Sequence, residues 1–195
     1  MRVVPSFFVK VAPQNLPFAN LSGDASQAYF ADGITEELTA ALARFQGLSV
    51  TARTSTLQYK ETAADAREIG AALGVNYLLE GSIRRDADTV RITAQLIDTG
   101  DGSHLWTETY ERDLSAAGIF AVQDDIASQI AAALAGNYGV LMERDTTEAR
   151  RKPPERLESY DCVLLAKVFW EHAPLEEFPA LLDCLENAVA VEPDY

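Results

Sequence analysis

Residues 76–112 read NYLLEGSIRRDADTVRITAQLIDTGDGSHLWTETYER, and this stretch decides the fold. Three strand candidates lie within it: Asn76 to Arg84, Thr89 to Asp98 and His104 to Arg112. In the middle one Val90, Ile92, Ala94 and Leu96 alternate with polar residues, the period of a strand with one buried face. Asp86-Ala87-Asp88 and Thr99 to Ser103 (TGDGS) are turn chemistry, and connections this short join antiparallel neighbours. The prediction is a three-strand meander.

Helical spacing takes over on both sides. Upstream, Phe30, Ile34, Leu38, Leu42 and Phe45 form one face of a helix over Tyr29 to Phe45. Gly33 marks a break or the true start, with Asp32 capping it and Glu36 and Glu37 in the favoured first turn, and Gly47 is the stop. Thr62 to Leu73 is a second amphipathic helix, with Ala66, Ile69 and Leu73 inward and Gly74 ending it. Ser6 to Val11 and Leu48 to Ala52 are shorter strand candidates, the first ended by Pro13 and Pro17. Downstream, Val122, Ile126, Ile130, Leu134 and Tyr138 recur every four residues across Ala116 to Tyr138, a stripe suited to packing on a sheet. The predicted class is α/β: a mixed sheet of about five strands, the meander at its C-terminal end, packed helices, and then an α-helical hairpin.

That hairpin spans Leu157 to His172 and Leu175 to Val191, around Pro174. Leu181, Leu185 and Ala188 followed by Pro193 match the second helix of a tetratricopeptide repeat. One hairpin cannot bury its own stripe, so self-association or packing on the α/β domain is expected of Leu164, Leu165, Leu181 and Leu185. The predicted organisation is an α/β domain over 1–140, a linker over 141–156 and the hairpin over 157–195. The linker reading rests on the polar run ERDTTEARRKPPER (143–156), with Pro153-Pro154 biasing the chain to extended conformations.

The net charge of −14 over 195 residues is unevenly placed. The first 60 residues are near neutral, whereas 157–195 hold nine acids and one lysine. Such a surface opposes a phosphate backbone, so no nucleic-acid partner is expected. No apolar run approaches the roughly 20 residues that span a bilayer, and no membrane partner is expected. The start MRVVPSFFVKVAP lacks the long apolar region of a signal peptide. Cys162 and Cys184 are too few for a disulfide framework and read as reduced core thiols of a cytoplasmic protein.

Chemical motifs are sparse. His104 and His172 are the two histidines, and no CxxC or HxxxH occurs, so no metal is expected. Asp24, Asp32, Glu36 and Glu37 do not have the spacing of an EF-hand and read as caps and a solvated edge. There is no GxGxxG and no GxxxxGK[ST], and no cofactor is expected. Asp98, Asp101, Ser103 and His104 superficially supply nucleophile, base and acid. They share one hairpin turn, where Asp and Ser bond to their own backbone, so no catalytic residue is assigned. Arg84, Arg85 and Arg91 are expected to pair with Asp86 and Asp88. The candidate partner-binding residues are His104, Trp106, Glu108 and Tyr110, which alternate along one strand and so share a face.

Five blocks carry a family resemblance: LPFANLSGD (16–24), YFADGITEEL (29–38), ALGVNYLLEGSIRR (72–85), VRITAQLIDTGDGSHLWTETYERDL (90–114) and FAVQDDIASQIAAAL (120–134). Together they resemble the bacterial module similar to the N-terminal domain of TolB and to FlgO. The resemblance implies an α/β layer, usually followed by tetratricopeptide repeats, and AVAVEPDY (188–195) looks like the end of a first repeat. Such modules accompany class III adenylate cyclase domains, CadC-type winged-helix regulators and some kinases. It therefore implies a non-catalytic regulatory or partner-binding module, most readily the accessory region of an adenylate cyclase-type protein. The alternatives are a cyclase-associated enzyme fragment and an envelope or assembly module.

Overall fold

The computed structural model describes residues 11–12, 18–45, 48–50, 55, 59, 64–136, 139–172 and 175–193. The chain divides into two compact units, Met1–Gly136 and Asn137–Tyr195.

The first unit is built on the meander. Strands β1 (Val11–Ala12) and β2 (Ala19–Asn20) both pair in parallel with β3 (Tyr77–Asp86). β4 (Thr89–Asp98) and β5 (His104–Asp113) follow antiparallel. The result is a mixed five-stranded sheet, as the pattern predicts, with the order β1-β3-β4-β5 and β2 also on β3. Most of the predicted first strand, Ser6 to Val11, lies outside the described residues, as do Gly47, Ala52 and Tyr138.

Helices flank the sheet: α1 (Ala28–Leu42), α2 (Ala66–Leu73), the short α3 (Leu114–Ala117) and α4 (Ile119–Ala135). Val90, Ile92, Ala94 and Leu96 of β4 are all fully buried, each large one contributing about 1.5–3 kcal/mol. Their face is the one α1 and α4 occupy. Arg112, in register with Val90, reaches Asp125 of α4, and Phe18, which lies over Gly81, bonds through its amide to Thr35 of α1. The predicted stripes are buried as expected: Phe30, Ile34, Leu38 and Leu42 on α1, and Val122, Ile126, Ile130 and Leu134 on α4. The opposite face of the sheet is capped at one end by α2, where Ile69 and Val75 pack with Leu78 and Ile97. Gly74 ends α2 at φ 65°, a left-handed position that suits glycine.

The start of α1 falls beside the predicted Tyr29, and Gly33 is neither a start nor a break. The helix begins at Ala28, preceded by a 3-10 turn over Ala25–Gln27 that Asp24 caps, and Gly33 lies inside it. Gly33 is small because Gln123 of α4 packs where its Cβ would stand. Gln123 is buried and donates its side-chain amide to the Phe30 carbonyl at 3.2 Å. A glycine that sequence logic assigns to a helix start or a break is therefore a helix crossing point.

At the β3–β4 turn, Ala87 adopts φ 51°, the only positive φ of a non-glycine among the described residues. A Cβ is disfavoured there by about 1–2 kcal/mol. Ala87→Gly should raise the thermal midpoint of this unit by a few degrees, corresponding to up to about 1 kcal/mol. A lower midpoint in calorimetry would contradict the argument.

The second unit holds α5 (Val140–Arg151), a 3-10 turn (Pro154–Arg156), α6 (Ser159–His172), a 3-10 turn (Leu175–Glu177) and α7 (Phe178–Val191). The hairpin α6–α7 matches the prediction, but the linker does not. Residues 140–151 form a helix because Leu141 and Ala149 give it a buried face and Glu148 pairs with Arg144 and Arg151 at helical spacing. The consecutive prolines then stop it. The cysteines are the other correction: Cys162 and Cys184 form a disulfide with a Cα–Cα distance of 5.6 Å. They do sit in the core, with Ala188, Leu157 and Leu185 around them. Their count hid this, because one bridge between facing helices leaves no pattern in a sequence.

Candidate functional site

β5 is an edge of the sheet, and three of the four candidate residues stand along one of its faces. Trp106 pairs with Leu96, Glu108 with Ala94 and Tyr110 with Ile92, so they share the face that α4 covers. Along the strip Trp106 is half-buried, Glu108 exposed and Tyr110 buried. The Tyr110 hydroxyl donates to a Glu108 carboxylate oxygen at 2.9 Å. Burial and then this carboxylate raise the phenol's pKa well above its ordinary value, so Tyr110 is a neutral donor at physiological pH. At the end of the strip Arg112 donates to Asp125 at 2.9 Å, and this bond holds the carboxyl below the usual range.

His104 does not follow its neighbours. The register shifts at Leu96/Ile97, so that Leu96 pairs with Trp106 but Ile97 with His104. Strict alternation put the four on one face. The irregularity takes His104 out of step with the other three. Nothing in the residue types announces the shift.

The hairpin turn behaves as its chemistry predicts. Asp98 accepts from the Gly100 amide at 2.7 Å and Asp101 from the Ser103 amide at 2.8 Å. These carboxylates order the turn. The arginines are a correction: Arg91 pairs with Glu111 at 2.7 Å, and Arg85 donates to the Ala87 carbonyl and to Gln27, rather than to Asp86 or Asp88. The cross-strand partner wins because the register brings Arg91 opposite Glu111. Sequence reasoning also overlooked the polar face of the sheet. There Arg91–Glu111, Thr93–Thr109 (3.1 Å) and Gln95–Glu80 (3.1 Å) line up across strands. The signal was present as the residues between the apolar ones of β4.

Among the described residues, no group of three or more His, Cys, Asp or Glu is placed to hold a metal ion, and no helix is long and apolar enough to cross a membrane.

Several carboxylates serve as caps. Asp24, Asp65 and Asp113 accept from Ser26, Arg67 and Ser115 respectively. These bonds lower all three pKa values, that of Asp65 to about 2. A depressed folded pKa gives stability that is present above the unfolded value of about 3.9 and lost as pH falls through the folded one. The thermal midpoint should therefore hold down to about pH 4 and decline from there toward pH 2. A midpoint that rises on acidification would refute this assignment.

The first unit is thus an α/β domain: an antiparallel meander extended by parallel strands, with α1 and α4 over one face and α2 at one end of the other. The second-domain model of HilA/YgeH-like transcriptional regulators matches residues 16–129, and the chain belongs to that family. A protein of Rhizobium meliloti (strain 1021) that carries the name of an adenylate cyclase is 45% identical over 152 residues. The match covers 78% of this chain and 25% of that protein, so the chain spans about a quarter of this relative's length. Solved structures with a similar fold include the lipoprotein GNA1162 from Neisseria meningitidis (TM-score 0.45, 18% identity, 60% of this chain and 94% of that one). TolB from Acinetobacter baumannii is another (TM-score 0.40, 18% identity, 61% of this chain and 27% of that one).

Proposed function

We propose that this chain is a non-catalytic regulatory module of a bacterial signalling protein, the accessory region of an adenylate cyclase-type protein. The observation that carries the reading is the 45% identity over 152 residues with a quarter of a cyclase-named protein, together with membership of a regulator-domain family. The strip of Trp106, Glu108 and Tyr110, with His104 beyond the irregularity, is its contact surface for a protein partner. A half-buried indole beside an exposed carboxylate, itself held by a phenol, offers a stiff amphipathic surface.

Two measurements test this. The purified chain with ATP and Mg or Mn ions should form no cyclic nucleotide, and any that forms sinks the reading. In the whole cyclase-type protein, Trp106→Ala with Glu108→Ala should leave basal activity intact and abolish its response to its signal. An unchanged response would remove the strip from the proposal.

On this reading the chain works in the cytoplasm, beside the ATP such a protein would use. The Cys162–Cys184 bridge favours a second reading, an envelope module, because structural disulfides persist in oxidising compartments. Acid-quenched cells followed by thiol alkylation separate the two. A bridge found reduced in growing cells supports the cytoplasm, and one found oxidised supports the envelope.

A further inference from the structure

The second unit contains a concave groove of about 680 Å³ that the regulatory reading does not use. Its apolar lining comes from Leu157, Leu165 and Phe169 and, on α7, from Leu181 and Cys184. Its charged lining is Arg150 and Lys152 together with Glu176, Glu177 and Asp183. The two signs are unequal. Lys152 is spent on Asp161, whose side chain is 6% exposed and lies 2.8 Å away, which leaves Arg150 against three carboxylates. Glu176, Glu177 and Asp183 are exposed and make no ion pair among the described residues. Large apolar side chains stand exposed close by in the chain: Leu175 at 81%, Phe178 at 45% and Leu182 at 43%. Phe169 joins them to the groove, its ring 5.7 Å from that of Phe178.

We infer that this groove docks a basic amphipathic segment of another protein, with large apolar side chains on the lining and lysines or arginines against Glu176, Glu177 and Asp183. The apolar lining and the exposed Leu and Phe supply the burial that drives such contacts. The three carboxylates supply the sign of the partner. A second copy of this chain is the wrong occupant, because residues 157–195 hold nine acids and one lysine and would meet their like. A phosphate-bearing ligand is disfavoured for the same reason. The inference does not depend on which effector the chain serves.

The test uses the full chain and fluorescence anisotropy with a labelled peptide of lysines and leucines at helical spacing. Two controls are its twins with glutamate for lysine and with serine for leucine. The lysine–leucine peptide should bind at least about tenfold more tightly than either twin. The triple variant Glu176→Lys, Glu177→Lys and Asp183→Lys should weaken it by at least about tenfold. A matched variant of the first unit, Glu36→Lys, Glu37→Lys and Glu68→Lys, changes net charge equally and should bind as the parent does. Equal weakening by both variants would show that bulk charge alone attracts the peptide and would overturn the proposal. So would equal binding of the serine twin, or light scattering that shows the groove filled by a second copy. All variants lie on exposed positions, and circular dichroism checks that they fold.

Discussion

Reducing the Cys162–Cys184 bridge should destabilise the second unit by about 3 kcal/mol, while the first unit unfolds as before. A dithiol reductant transfers two electrons and two protons, leaving two thiols and its own cyclic disulfide. The bridge joins residues 22 apart, and releasing a loop of that size restores about 3 kcal/mol of chain entropy to the unfolded state on the loop-closure estimate. The bridge lies within a buried cluster of Cys162, Cys184 and Ala188, with Leu157 and Leu185 half-buried beside them, and the rest of the buried apolar set in this unit is small: Leu141, Ala149, Leu164 and Phe169 among the described residues. Units of about 60 residues bury too little surface to stand such a loss. Urea titration with and without reductant, followed by hydrogen exchange in 139–193 and in 64–136 separately, should show protection falling only in the former. Cys162→Ala with Cys184→Ala should behave as the reduced protein does. Equal stability of oxidised and reduced chains would show that the helices hold without the bridge.

This first unit was largely readable from residue order because its decisive signals are local. Val90, Ile92, Ala94 and Leu96 declare a strand by alternation alone, and TGDGS and Gly74 declare its neighbours' ends. The four-residue stripe of α4 is equally local. The misread features depend on what another element contributes. Gly33 looks like a helix start or a break until Gln123, 90 residues on, is seen against it. The polar run after residue 140 looks like linker until Leu141 and Ala149 acquire a covered face and Tyr160 of α6 donates to Asp145 at 3.0 Å. The same holds for the candidate site. Trp106, Glu108 and Tyr110 follow the period of a strand, but the displacement of His104 is set by pairing with β4. Neither the groove nor the disulfide has a local signature, since each needs α6 and α7 brought together.

Gly81→Ala should cost about 2–3 kcal/mol, a large penalty for one methyl group in a strand. Gly81 lies mid-way along β3 opposite Ala94, on the buried face of the sheet. A Cβ there would overlap the ring of Phe18, closer than any real Cβ contact. The ring has nowhere to retreat: Phe18 is 2% exposed, and its amide is tied to the buried Thr35 hydroxyl at 3.3 Å, which in turn donates to the Ala31 carbonyl at 2.7 Å. The pair Gly81–Phe18 therefore fits β2, α1 and β3 together, and its members should be strongly coupled. Phe18→Leu alone opens space and costs about 1–2 kcal/mol. In the Gly81→Ala background the smaller side chain relieves the overlap, so the double variant should be less damaged than the two single costs combined, by about 1 kcal/mol or more. Urea unfolding of the four proteins measures this directly. Additive costs, or a Gly81→Ala protein as stable as its parent, would mean that the ring and the strand yield to each other, and that this glycine is not what seats the N-terminal segment on the sheet.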